Sequence, residues 1–417
     1  MSVRNSGALG MLAATTCSTA GNAVVMVAVP FIVLQRTGSA TLAGTVGAAA
    51  LAPLALSTFF GGVLIDRIGR RTCAVLADVC SALAFAALPL LDAAWGLSIP
   101  VVLVLVALGA VFDGPGAAAR ETLRSLVAAR SGRPLAQVNA WGEAAESIGG
   151  LVGPGLAGIL LAVVGGFGVL WPTVVLFLLA ALLTAATTPS DDGVPRAAEP
   201  LLVAVRSGIT TIVRDPALRL ITLVAVVVVT VVAPFESVVL ASHFQALGQP
   251  ALYGAVITSF AAGGLAGAVL YGFVGHRLPV RGLLAGILAA AGLGIAAFAL
   301  LPPVPVMIGL GLAVGFASGP VNPIAAAVMQ QRTPPERMGR VVGSYTGVAA
   351  AAGPAGLLLI GPLVQAGGPA VGFLVIGAGL LAAAVVAGTA RGLRGLAPAY
   401  AAESEPAPTG SRTEVRR

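Results

Sequence analysis

Apolar runs of about twenty residues, parted by short polar breaks, recur along almost the whole chain. Coiled as a helix, such a run spans a bilayer's hydrocarbon core. A backbone in lipid must satisfy its own hydrogen bonds, so helix is the predicted form. The strict apolar/polar alternation of a barrel strand is absent. The pattern predicts twelve spans, near 9–34, 41–65, 73–91, 98–119, 141–164, 169–187, 218–240, 254–273, 282–301, 306–329, 341–364 and 371–389. The first run is longer than a signal-peptide core and lacks a good cleavage site, so it reads as a retained span.

Composition agrees. Hydrophobic residues make up 58% of the chain and charged residues 9%, where a soluble domain carries about 25% charge. There is no lysine, and all 23 basic residues are arginine. With the N-terminus in the cytoplasm, every arginine but Arg36 falls on the cytoplasmic side, as the positive-inside rule requires. The expectation is a multi-pass protein of a bacterial inner (cytoplasmic) membrane with both termini cytoplasmic. The net charge of +7 reflects this bias, and scattered loop arginines do not make a nucleic-acid surface.

The longest polar interior stretch lies between the sixth and seventh spans. It predicts a six-helix half at 1–187, a cytoplasmic linker at 188–217, a second six-helix half at 218–395 and a disordered cytoplasmic tail at 396–417. The halves echo each other. "GVLIDRIGRR" answers "GFVGHRLPVR", "FDGPGAAA" answers "FASGPVNPIAAA", and "GPGLAG" answers "GPAGLL". Laying Gly62 on Gly272 puts Asp66 on His276, Arg67 on Arg277 and Arg71 on Arg281. Carriers are often built this way, with substrate bound between repeats near the midplane. The fold class is therefore all-α integral membrane, twelve transmembrane helices in two pseudo-symmetric halves.

Other chemistries find little support. Cys17, Cys73 and Cys80 lie inside spans without metal-ligand spacing, and read as small packing residues. His243 and His276 are loop residues without a partner motif. No metal, no cofactor and no enzymatic site are expected. The glycine-arginine stretch Gly61–Arg71 lacks the strand and lysine of a phosphate loop, so it reads as a tight link between spans 2 and 3.

Within that link, Gly62, Asp66, Arg67, Gly69, Arg70 and Arg71 resemble the loop 2–3 signature of the major facilitator superfamily, G-x-x-x-D-R-x-G-R-R. The resemblance covers nearly the whole chain. It implies a cytoplasmic latch that stabilises the outward-facing state. It also pairs Arg70 with a fourth-span acid, the place Asp113 occupies. Fifth-span Gly149, Gly153, Pro154 and Gly158 match the family's exporter-associated motif, G-x-x-x-G-P-x-x-G-G, with Ala157 departing. Glycines on one face let a neighbouring helix approach, and a proline removes a backbone hydrogen bond. Phe112, Pro115, Leu135, Asn139 and Ala140 extend the likeness to the macrolide-efflux and enterobactin-exporter branch of the drug:proton antiporters. Two features of many such antiporters are missing: Ala110 stands where a fourth-span arginine would be, and Asn22 where some carry a first-span acid.

Ionisable groups inside spans are functional hypotheses by default. Asp78, Asp113, Glu143, Glu146 and Glu236 are the carboxyl candidates for a substrate or proton path, with Asn22 and Asn322 as neutral ones. Each has a structural alternative. Asp113 would be a gate partner of Arg70, Asp78 part of the latch, and Glu143 and Glu146 a solvated pair near Arg120, Arg124 or Arg133. No arginine is read deep within a span. Taken together, the expectation is a proton-coupled secondary exporter of small hydrophobic or amphipathic compounds. It would be monomeric in the lipid bilayer and have small-molecule and proton partners only. The alternative is an importer, or a narrow-specificity metabolite or siderophore carrier, of the same fold.

Overall fold

The computed structural model describes residues 3–188, 201–275 and 278–390, without the side chains at 3–6, 58–64, 66, 201, 202, 204, 335 and 336. Among the described residues every regular element is a helix. The first six spans are α1 Val3–Thr37, α2 Ala40–Ile68, α3 Arg70–Trp95, α4 Ile99–Ser131, α5 Leu135–Val163 and α6 Leu170–Thr187. A short amphipathic helix, α7 Leu201–Arg214, follows. The next four are α8 Pro216–Leu247, α9 Pro250–Val274, α10 Val280–Phe298 and α11 Val304–Arg332. A last helical stretch, Pro335–Thr389, turns at Gly368 (φ 75°) into two spans, α12 at 335–367 and α13 at 369–389. That turn brings the spans to the expected twelve. We call the end bearing the α2–α3 and α4–α5 links proximal and the opposite end distal.

Several helices outrun their apolar segments. α4 continues to Ser131 and α5 starts at Leu135, so the loop expected between 119 and 141 shrinks to three residues. Hydropathy marks the part of a helix in lipid, whereas the helix continues until Gly132 ends it in the left-handed conformation. The expected linker 188–217 is partly helical, and α8 starts within it at Pro216. Asp215 caps α8, accepting from the backbone N–H of Ala217 at 2.8 Å and of Leu218 at 3.0 Å. The α2–α3 link is one residue, Gly69, at φ 82°, a conformation that disfavours any side chain. His276, Arg277 and the tail 396–417 lie outside the described residues.

Contacts repeat between the halves. A Cβ on Gly44 of α2 would lie 2.6 Å from the Leu357 carbonyl oxygen of α12. A Cβ on Gly254 of α9 would lie 2.6 Å from that of Pro154 of α5. Gly158 of α5 faces the Pro250 carbonyl, and Gly361 of α12 faces that of Ala40. Gly153 sits on the Ala20 carbonyl of α1, and Gly356 on that of Thr230 of α8. The shift that carries Gly44 onto Gly254 also carries Ala20 onto Thr230 and Arg71 onto Arg281. The sequence pairing of "GPGLAG" with "GPAGLL" is thereby corrected: the counterpart of Gly153 in the second half is Gly356, not Gly353. The error is close to one helical turn, which keeps small residues on the same face.

Candidate functional site

Asp78 lies two turns into α3, with its carboxylate buried. The Arg120 guanidinium donates to both its oxygens from Nη1, at 3.0 and 3.1 Å, and Ser18 Oγ donates to Oδ1 at 2.7 Å. Three helices, α1, α3 and α4, thus meet on one carboxylate. Gly116, a turn before Arg120, allows the approach, since a Cβ there would lie 2.6 Å from Ala77 Cβ. Arg120 and Arg124 are both buried, although they follow the apolar part of α4. This corrects two expectations, that they are loop residues and that no arginine lies within the helical bundle. The long side chain carries its charge along the helix to a partner that a loop position would not reach.

Arg124 donates to Glu143 Oε1 at 2.8 Å and also bonds Glu146. The two glutamates are one turn apart on α5 and more exposed than the arginine. Gly142 makes room for the guanidinium, which a side chain there would meet. Of the partners weighed for this pair, the structure selects Arg124.

Asp113 has different company from that expected. Its Oδ1 accepts from Ser81 Oγ at 2.9 Å, and Asn22 of α1 adjoins the same carboxyl. Arg70 opens α3, eleven residues before Ser81, or about 16 Å along a helix axis. That separation exceeds an arginine's reach and overturns the Arg70–Asp113 pair. Asp113, Asp78, Glu143 and Glu146 with Arg120 and Arg124 thus form a polar ladder inside the first half, with four carboxyls against two guanidiniums. The second half has no such ladder at the matching places. Asp78 falls on Leu288, and aligning Gly114-Pro115 with Gly319-Pro320 sets Ala325 against Arg120. Both are buried and apolar.

The other motif residues are placed as follows. Gly62 and Asp66 stand in the last turns of α2, and the Asp66 side chain lies outside the described residues. Arg67 is exposed, Gly69 makes the turn, and Arg71 bonds the Ala185 carbonyl near the end of α6. Its counterpart Arg281 bonds the Gly388 carbonyl near the end of α13. A guanidinium at a helix C-terminus meets carbonyls left without intrahelical donors, so each is a cap. In α5, Gly149 and Gly153 face α1, while Gly158 faces α9 of the other half. The helix runs unbroken through Pro154. One helix thus uses small residues both within its half and across the seam.

The family model described as Major Facilitator Superfamily matches residues 11–245 and 229–415. The chain belongs to the major facilitator superfamily. The multidrug efflux pump Tap of Mycolicibacterium fortuitum is 35% identical over 383 residues, covering 90% of this chain and 94% of that protein. The protein of the same name from Mycobacterium tuberculosis is 36% identical over 385 residues, covering 90% and 91%. Macrolide efflux protein A of Streptococcus pyogenes is 25% identical over 352 residues, covering 81% and 84%. Among solved structures, the nucleoside transporter NupG superposes with a TM-score of 0.74, covering 93% of this chain and 98% of that one. At 10% identity that likeness concerns the fold alone.

Two further candidates of this facilitator lie apart from the ladder. Glu236 sits in a π-helical turn, Phe235–Leu240, within α8. π-turns inside α-helices recur at functional sites. This turn touches α1 and α2 of the first half. Tyr253 Oη donates to the Glu236 backbone carbonyl at 2.9 Å, and the Tyr253 ring stacks on Phe31 of α1 at 5.3 Å. The Glu236 carboxyl has no hydrogen-bond or ion-pair partner among the described residues. Asn322 is exposed, just past the interruption of α11 at 319–320. It joins neither the ladder nor Glu236. Among the described residues no cluster could hold a metal ion.

Sequence reasoning missed Ser18 and Ser81, and it named Arg120 and Arg124 only as neighbours of the two glutamates, not as buried residues of α4. A signal for the arginines was present: "AAARETLRSLVAAR" has no glycine or proline, so a helix continues through it. The arginines at i and i+4 then share one helix face.

Proposed function

We propose that this facilitator exports small hydrophobic or amphipathic compounds, drugs or secondary metabolites, from the cytoplasm by alternating access coupled to protons. The observation that carries the reading is likeness to the Tap efflux pumps, at 35–36% identity over 90% of the chain. The α5 seam supports it: the exporter-motif residue Gly158 is where α5 lies against Gly254 of the other half. The proximal end faces the cytoplasm, as the arginine bias indicates. Residues 1–187 and 218–395 are the two halves that rock about the seam, joined by 188–217, and the protein works as a monomer.

Carboxyls are the groups that can load and release a proton here. Asp113, hydrogen-bonded to neutral side chains, and Glu236, without a partner among the described residues, are the proton or substrate candidates; Asp78 is fixed by Arg120. The Gly62–Arg71 link acts as the latch, with Arg71 tying it to α6.

The test is efflux from an efflux-deficient bacterium preloaded with fluorescent dyes or macrolides. Faster loss than in the empty host, abolished by a protonophore and by Asp113→Asn, supports proton-driven export. Accelerated uptake in place of loss sinks the export reading and points to an importer.

A further inference from the structure

We propose that the proximal cleft between α7 and the α11–α12 connection is a binding site for a phosphate-bearing anion, filled in the membrane by an anionic phospholipid headgroup. The cleft, open to the surface, has a volume of about 880 Å³ and is lined by Arg206, Arg214, Arg332, Arg337 and Arg340. This falls within the usual range of ligand pockets, about 300–1,000 Å³. The one acid among the described lining residues is Asp215. Its Oδ1 is already committed to the N-terminus of α8. The guanidiniums of Arg206, Arg214, Arg332 and Arg337 make no ion pair or hydrogen bond with a described residue. Arginine presents a planar fork of donors that matches phosphate, and several forks around one concavity hold an anion far better than scattered charges do.

Topology alone does not ask for this convergence. The positive-inside rule is met by arginines anywhere in the proximal loops. Here they come from two separated segments, α7 and the α11–α12 connection, and they line one hollow.

The faces of α7 indicate that the anion comes from the bilayer. One face is fixed to α12: a Cβ on Gly208 would collide with the Arg340 carbonyl, Ser344 Oγ donates to the Val205 carbonyl at 3.3 Å, and Ile212 is buried. A second face, with Arg206 and Arg214, lines the cleft. On the flank beside Arg206, Ile209 and Val213 stay exposed. An apolar flank next to an arginine face is the pattern of a helix lying in the membrane interface. A lipid whose phosphate sits among the arginines would lay its acyl chains along that flank. Basic segments at the membrane surface attract anionic lipids in the same way.

The test uses delipidated full-length protein and two probes, short-chain phosphatidylglycerol and pyrophosphate, with short-chain phosphatidylcholine as reference. Affinities are compared for wild type, Arg332→Gln/Arg337→Gln, Arg206→Gln/Arg214→Gln, and a control pair outside the cleft, Arg130→Gln/Arg133→Gln. The expected result is preferential binding of phosphatidylglycerol, weakened at least tenfold by either cleft pair and by high salt, and left within twofold by the control. Loss of pyrophosphate binding alone in the cleft pairs keeps the phosphate site but gives it a soluble ligand. Equal loss in the control pair, or unchanged affinity in both cleft pairs, overturns the site. A fusion reporter on the C-terminus checks that each variant keeps its orientation, and Arg332→Lys/Arg337→Lys, which preserves charge, covers the case where the neutral pair does not insert. That variant is expected to bind more weakly than wild type and more tightly than the neutral pair.

Discussion

The Arg120 guanidinium holds both oxygens of the Asp78 carboxylate, at 3.0 and 3.1 Å, with Arg120 and Asp78 both buried between α3 and α4. Removing one member of a buried pair strands the other charge, at a cost of about 3–5 kcal/mol. Replacing both with apolar residues is often neutral. The second half already carries that replacement, Leu288 and Ala325. Asp78→Leu and Arg120→Ala should therefore each lower the thermal unfolding midpoint in detergent sharply, and the double variant should recover most of the loss. Additive losses in this double-mutant cycle would show that the pair does not act as a unit.

Gly254 and Gly44 are each the point of closest approach at the seam between the halves. An alanine at either places its Cβ 2.6 Å from a carbonyl oxygen of the opposite half. Overpacking costs about 1–3 kcal/mol, and here it acts on whichever conformer has the distal seam closed. Gly254→Ala should reduce efflux several-fold at normal protein levels. It should also speed labelling of a cysteine introduced at Gln365, whose Oε1 accepts from the Ala40 N–H across the seam at 2.7 Å. Unchanged efflux and labelling would remove the seam from the transport cycle.

Arg71 and Arg281 cap the final helix of their respective halves. Hydrogen bonds of charged groups contribute about 1.5–3 kcal/mol. Arg71→Gln and Arg281→Gln should therefore destabilise the folded protein by similar amounts in thermal unfolding. Only Arg71 belongs to the latch sequence, so only its loss should slow transport beyond what stability explains. Equal transport defects would assign both residues a purely structural role.

Glu236 should matter to transport more than to folding, because its carboxyl holds no partner among the described residues. Glu236→Gln is expected to leave the unfolding midpoint within a few degrees of wild type while cutting proton-driven efflux at least fivefold. Everted vesicles with an imposed pH gradient give the transport readout. A large fall in the midpoint with transport preserved would make it a structural group.

Much of this was legible beforehand. Twelve apolar runs, one polar interruption between the sixth and seventh, and glycine at position 69 announce helices, halves and a tight link, because each depends on local composition or backbone freedom. The ladder was legible only in part. Asp78, Asp113, Glu143 and Glu146 could be singled out as charges in or next to apolar runs, but the partners of Asp78 and Asp113 could not, and that of the glutamates only as one of three arginines. Asp78 and Arg120 are forty-two residues apart, and hydropathy ends a span where the residues become polar. Arg70 was matched to Asp113 by family pattern, whereas the depths of the two residues along α3 and α4 separate them.

The sequence by itself determined that this chain lives in a bilayer, how many times it crosses, and that its halves repeat. Those properties follow from the cost of exposing polar backbone to lipid and from residue periodicity. The tertiary structure decided which charges meet, that Gly153 corresponds to Gly356, and that arginines from two distant segments share one cleft. Such pairings depend on helix depth and rotation against distant neighbours, and single-chain periodicity carries no information about either.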